Sequence, residues 1–251
     1  LSQGLLLSIE HCIETSGCTT PLVEGLDCTE WLGITKLEAP VPAQLAGQAR
    51  GLLPSGVIKT DQPRVQNISN YLDDYYGLQF EVTEKLHGSS CTFFLDNDNE
   101  FHVCSRNLDL KYDENNSFWK AAIKYGIEAK MKSLHLNNVA IQGELIGEGI
   151  CGNQYKVILD FYVFDILNTA CGTYYSSYAR KNVVDNLGLN HVPIVCYEVL
   201  NDNYTCESIL DTAEGLSKLN GSTREGLVWK CIENTSFSFK AISDKWLLKN
   251  D

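Results

Sequence analysis

The chain has 251 residues, an apolar share of 44% and a formal net charge of −12. That length suits one large domain, or one domain and a fragment, and that apolar share belongs to packed globular proteins rather than disordered ones. No apolar run approaches the roughly 20 residues a membrane helix needs, and the acidic balance argues against a module that simply coats nucleic acid, which needs a basic excess to release counterions.

The opening LSQGLLLSI reads as one strand, and Glu10 with no basic stretch before it makes a poor secretory signal. A lone strand is unstable, and Pro40, Pro42 and Pro54 stand among small residues in an extended stretch. Residues 1–45 are therefore expected to be the tail of an upstream module plus a linker, with the main domain over 46–251. The ten cysteines include no CxxC pair, so they read as reduced thiols of an intracellular protein, cytoplasmic or nuclear, rather than as zinc ligands.

Beyond the linker, LQFEVTEKL sets Leu78, Phe80 and Val82 against Gln79, Glu81 and Thr83, the alternation of a half-buried strand. CTFFLDNDNEFHVCS reads as two strands joined by a turn at Asp96–Asn99. ENNSFWKAAIKYGIEAKMKSL predicts one helix, with Trp119, Ile123, Ile127 and Met131 on a face and Asn115 or Asn116 as cap. NVAIQGELIGEG and KVILDFYVFDIL read as central strands. SYARKNVVDNLG and TCESILDTAEGLSKLNG read as surface helices stopped by Gly188 and Gly221. EGLVWKCI and FSFKAI complete the strands. Strands and helices do not alternate in βαβ order, so the class is α+β with antiparallel sheets.

In EKLHGSS, Lys85 closes a strand at a cleft lip, and Gly88 lets a phosphate approach the backbone closely. K-x-x-G alone is common and ordinarily marks a surface lysine before a turn. Its ordered company changes the reading: SRN at 105–107, QGELIGEG at 142–149, FYVFDI at 161–166, REGLVWK at 224–230 and SFKAIS at 238–243.

These collinear motifs resemble those of the covalent nucleotidyltransferase superfamily of DNA ligases, RNA ligases and mRNA capping enzymes, over Glu84–Ser243. TEWLGITKLEAP, KTDQPRVQN and GEGICGN are most similar to RNA ligases of the RNA ligase 5 type, which carry an OB-like module ahead of the catalytic domain; LSQGLLL then resembles the end of that module. The resemblance implies a ligase-type nucleotidyltransferase fold, antiparallel sheets flanked by helices with a nucleotide cleft between them. It implies ATP and Mg²⁺ or Mn²⁺ as cofactors and RNA ends, at a nick or a break, as partners in RNA repair, with no membrane association.

By the same resemblance Lys85 attacks the α-phosphate of ATP and Lys240 contacts phosphate. Free lysine titrates near about 10.4, so attack calls for a neighbouring cation, Lys240 or the metal, to disfavour the charged amine. Glu84 matches the position that reads adenine's exocyclic amine, Glu144 the one that bonds ribose and metal, and Glu225 the one that holds hydrated metal. Arg106 and Asn107 match sugar or phosphate contacts. Tyr162 and Phe164 share one strand face, and the family favours Phe164 for stacking on the base. Two positions depart from the pattern: His87 stands where related ligases often have aspartate, and Lys240 lacks a second lysine nearby, for which Lys230, Lys245 and Lys249 are the candidates. An mRNA guanylyltransferase, a DNA ligase or a non-catalytic RNA-binding relic on the same core are the competing readings; a DNA ligase would append an OB domain beyond LLKND.

Overall fold

The computed structural model describes residues 47–250 together with Ser8 and Glu10. The chain separates into two units, Leu1–Pro42 and Ala43–Asp251, and the account below concerns the second. The expected amino-terminal strand, and the module tail up to residue 45, lie outside the described residues.

In chain order the second unit runs β1 (Ala49–Leu52), α1 (Val65–Ile68), β2 (Gln79–Lys85), β3 (Ser89–Leu95), β4 (Phe101–Cys104), β5 (Leu108–Leu110), α2 (Ser117–Tyr125), α3 (Ile127–Ser133) and β6 (Val139–Gly147). It continues through β7 (Leu159–Asn168), β8 (Thr173–Tyr174), α4 (Ser177–Leu187), β9 (Asn190–His191), β10 (Ile194–Val199), α5 (Cys206–Ala213), β11 (Gly226–Cys231), β12 (Ser238–Ile242) and α6 (Asp244–Asn250). Two sheets result. The larger has the order β1-β5-β4-β3-β6-β7-β8, with β9 also paired to β7; the smaller has the order β10-β2-β11-β12. Every pairing is antiparallel except β7 with β9. This is the expected α+β class.

Each sheet has its own apolar packing. Phe80, Val82, Leu227, Trp229 and Phe239 of the small sheet pack with Val65 and Ile68 of α1 and Ile209 and Ala213 of α5; Trp229 stacks on Phe239 with centroids 5.4 Å apart. In the large sheet, Phe93 meets Phe161 edge-on at 4.8 Å. Leu86, Ile146, Tyr155 and Val192 form a separate cluster, with Tyr162 and Phe164 packed against it, that joins the end of β2 to β6 and β7.

Three expectations are corrected. β2 is not half-buried: Glu81, Thr83 and Glu84 are buried as fully as their apolar neighbours, because the strand lies inside its sheet and its polar side faces other protein groups. The single long helix is two, since Gly126 takes a left-handed conformation (φ 61, ψ 37) that ends α2 and opens α3. Asn116 caps α2 by accepting from the Phe118 amide, but the buried face carries Trp119, Ala121 and Ala122, whereas Ile123 is 53% exposed. Finally, α5 stops at Ala213, eight residues short of Gly221; the backbone leaves the helix at Glu214 (φ −64, ψ 148). Gly188, by contrast, caps α4 in the left-handed region as expected.

Candidate active site

The end of β2 is the hub. β2 pairs with β11 so that Lys85 lies opposite Gly226, which brings Glu225 alongside the lysine although 140 residues separate them. The Lys85 Nζ donates to Glu225 Oε1 at 2.5 Å. Close backbone approach is built in at both ends of this contact. A Cβ on Gly88 would stand 2.3 Å from the Leu145 carbonyl oxygen, and one on Gly226 would stand 2.1 Å from that of Ala241. The glycine of K-x-x-G is thus required by β6 first, whatever it also offers a phosphate.

Lys85 opens onto a cavity of about 390 Å³. Phe164, Val192 and Val228 give it an apolar wall; Glu84, Lys85, Arg106, Glu144, Lys230 and Lys240 bring charge. The register explains the convergence: Glu144 on β6 lies opposite Ser90 on one side and Tyr162 on the other, and Lys240 on β12 lies opposite Val228. Glu84 is buried, with Oε2 accepting from the Lys218 amide at 2.8 Å and Oε1 left with no hydrogen-bond partner. A buried acceptor without a donor is rare and calls for one.

Charges here are strongly perturbed. Burial lifts the Glu144 carboxyl to about 7, with Lys85 pulling against it and Glu225 pushing further. Burial also opposes the charge on Glu225, but His87 and Lys85 outweigh it and hold that carboxyl below its ordinary range. Burial lowers the Lys240 ammonium, and Lys85 adds to the effect. The sequence called for a cation beside Lys85; the structure provides the carboxylate of Glu225 in direct contact and the cation, Lys240, across the cavity.

Two further departures find their place. His87 donates its backbone N–H to the Tyr155 hydroxyl at 2.9 Å, sets its ring 4.8 Å from that of Trp246, and holds Nδ1 3.6 Å from Glu225 Oε2. Of the candidates for a second lysine, only Lys230 reaches the cavity, and it is tied to Asp165 at 2.5 Å. Lys245 lies beside Glu214, and Lys249 donates to Thr223 Oγ1.

Gly88 also lines the cavity, whereas Tyr162 and Asn107 do not: Tyr162 packs in the cluster around Leu86, with its hydroxyl toward Asp160, and Asn107 is exposed. Sequence reading missed Thr60, Asp61 and Gln62, which line the cavity from an extended strap. The strap is fastened to the large sheet through Gln142 Nε2 donating to the Ile58 carbonyl, Thr60 sharing a hydrogen bond with Ser90, and Asp61 pairing with Arg106 at 2.5 Å. It is fastened to the small sheet by the Lys240 amide, which donates to the Pro63 carbonyl. Its signal was KTDQPRVQN, read for its resemblance without a role for these three residues.

The site is thus an amine held by a carboxylate at the rim of a cavity that carries cationic side chains and an apolar wall. A sequence model of the RNA ligase family matches residues 78–242. Solved structures of Naegleria gruberi RNA ligase are similar over nearly the whole chain. A mutant with ATP and Mn has 40% identity and a TM-score of 0.77, covering 99% of this chain and 72% of that one. A mutant with AMP and Mn has 40% identity and a TM-score of 0.77, covering 99% and 73%. The ligase with PPi has 40% identity and a TM-score of 0.76, also covering 99% and 73%. No match is found among curated proteins. The chain belongs to the RNA ligase family.

Proposed function

We propose that the chain is an ATP-dependent RNA ligase that works through a lysyl-AMP intermediate on Lys85. The observation that carries this reading is the Lys85–Glu225 contact at 2.5 Å on the rim of the cavity, with Glu84 presenting an unpartnered buried oxygen within the same cavity. The matched ligase structures hold ATP, AMP, Mn and PPi, the reactant, the transferred group, a metal and the leaving group of such a step.

In this reading the adenine occupies the slot beside Phe164 and gives its exocyclic N–H to Glu84 Oε1. Glu225 orients the Lys85 amine, which gives up its proton to solvent. The neutral nitrogen attacks the α-phosphorus of ATP; an N–P bond forms as the bond to pyrophosphate breaks. Arg106 and Lys240 offset the negative charge of the phosphates, with Arg106 exchanging Asp61 for phosphate. The AMP then passes from Lys85 to the 5′-phosphate of an RNA end, and attack by a 3′-hydroxyl joins the strands and releases AMP. The donor set fits a hydrated Mg²⁺ or Mn²⁺, since hard divalent ions take carboxylate oxygens and Glu225 keeps a buried Oε2 without a hydrogen-bond partner. Glu144 and Glu225 would hold it, and when bound it supplies charge neutralisation at the reacting phosphate.

The substrates in this reading are nicked or broken RNA, which is a repair activity, and the compartment is intracellular, cytoplasmic or nuclear. Buried Cys91, Cys104 and Cys231 are free thiols, in keeping with a reducing setting. Among the described residues no helix is long and apolar enough to cross a membrane. Intact-mass measurement after incubation with ATP or GTP and Mg²⁺ or Mn²⁺ tests the covalent step. An AMP adduct that Lys85→Ala abolishes is expected; a GMP adduct, or none from protein freed of nucleotide, contradicts it.

A further inference from the structure

Behind the base slot lies a chain of buried charges that the reaction does not itself require. Lys230 on β11 lines the cavity and sets its Nζ 5.6 Å from the centroid of the Phe164 ring. That ammonium donates to the Phe164 carbonyl at 2.6 Å and to Asp165 Oδ2 at 2.5 Å. The other oxygen of Asp165 lies 3.7 Å from Arg180 Nη1 on α4. Arg180 in turn pairs with Glu81 of β2 and donates Nε–H to His191 Nε2 at 3.0 Å. Ser177 and Tyr197 close the far end by donating to Glu81.

The order is cation, anion, cation, anion, and all four side chains are buried. Burying ion pairs costs more desolvation than it returns unless the geometry is well satisfied, so such a chain is poor evidence for stability by itself. Here each member has partners on both sides, and one end is a wall of the nucleotide cavity. Burial pushes the Lys230 ammonium down to about 8, with Asp165 working to keep it charged. Burial and Arg180 push His191 down to about 4, so at neutral pH its Nε2 is free to accept while Nδ1–H goes to the Val192 carbonyl. Val192 is another residue of the cavity wall. Arg180 therefore reaches the base slot twice, through Asp165 to Lys230 and Phe164, and through His191 to Val192.

We infer that Arg180, which lies on a helix outside all the motifs, is a positioning residue for the nucleotide base, acting through Asp165 and His191 on the walls of the slot. This rests on the ligase reading above and adds to it a specificity device. The device bears on every step in which adenine occupies the slot, ATP capture first.

The test separates the steps. Lysyl-AMP formation is followed at varied ATP, and joining of chemically pre-adenylylated RNA is followed without ATP, for wild type, Arg180→Lys and Glu81→Gln. Losing one charge-assisted contact corresponds to about a tenfold change. Arg180→Lys is expected to raise KM for ATP by about that factor and KM for pre-adenylylated RNA, whose adenine enters the same slot, in the same direction, with the maximal rates of both steps within about twofold of wild type. Glu81→Gln, which keeps the shape of the side chain, is expected to shift KM the same way by less. Thermal melting reports whether each variant is folded. Unchanged KM in folded variants overturns the inference. So does a fall in every step that tracks the loss of folded protein, since that is a structural role only. Absence of any lysyl-AMP from wild type would instead sink the ligase reading; direct titration with ATP then decides the Arg180 inference, and equal ATP affinity in wild type and Arg180→Lys overturns it.

Discussion

Glu144 and Glu225 are two carboxylates of one site that burial and neighbours drive in opposite directions. Burial lifts Glu144 to about 7, while His87 and Lys85 overcome burial at Glu225 and hold it low. The folded-state value of Glu144 exceeds its unfolded value, so the folded chain binds the proton more tightly. Its contribution to stability is fully present below the unfolded value near 4.5 and is lost as pH rises through about 7. At pH 8 the site thus holds a charge that burial disfavours. Glu144→Gln is expected to raise stability at pH 8 by up to about 3 kcal/mol, with the gain fading by pH 5, while lysyl-AMP formation falls. Urea unfolding at the two pH values checks it; an equal effect at both would show that Glu144 does not carry the raised affinity for protons.

At the scale of elements, the site depends on how closely β3 and its preceding turn approach β6. A Cβ at Gly88 would meet the backbone oxygen of Leu145 at 2.3 Å, and backbone cannot step aside as a flexible side chain can. Gly88→Ala is expected to cost about 1–3 kcal/mol of stability, the usual range for overpacking, and to slow lysyl-AMP formation by shifting Lys85. Denaturant melts alongside single-turnover adenylylation measure both, and a variant of wild-type stability and rate would refute the packing argument.

The elements also show what a sequence read by periodicity reveals. The strands around Lys85, Glu144, Phe164 and Lys240 were legible because alternation and turn residues are local signals. The break at Gly126 was not, since a four-residue recurrence from Trp119 to Met131 runs straight across a left-handed cap. The end of α5 was misplaced because Gly221 was taken as the stop, although Gly215 directly follows the residue at which the backbone leaves the helix. The burial of Glu81 was hidden for a different reason: its partners Arg180, Ser177 and Tyr197 come from α4 and β10, about a hundred residues on.

Across the whole molecule, the charge of −12 argued against a module that simply coats nucleic acid, but a summed charge does not record where individual charges gather. Lys85, Arg106 and Lys240, scattered along the sequence, meet at one cavity. The strap that carries Asp61 lies in KTDQPRVQN, which was read for its resemblance but gave these residues no role: an extended segment has no periodicity, and Asp61 acquires meaning only when folding brings it to Arg106. Motif order pointed to residues that meet at the cavity, such as Lys85, Glu144 and Lys240; charge pairs and cavity walls came only with three dimensions.

The most direct measurement of the central claim is strand joining by the intact chain. RNA bearing a 5′-phosphate beside a 3′-hydroxyl, at a nick or as free ends, is incubated with ATP and Mn²⁺ or Mg²⁺ and resolved by length. The account predicts sealed RNA with release of AMP, dependent on ATP and lost in Lys85→Ala. Sealing that survives Lys85→Ala at wild-type rate, or wild-type protein that forms neither sealed nor adenylylated RNA, would contradict it.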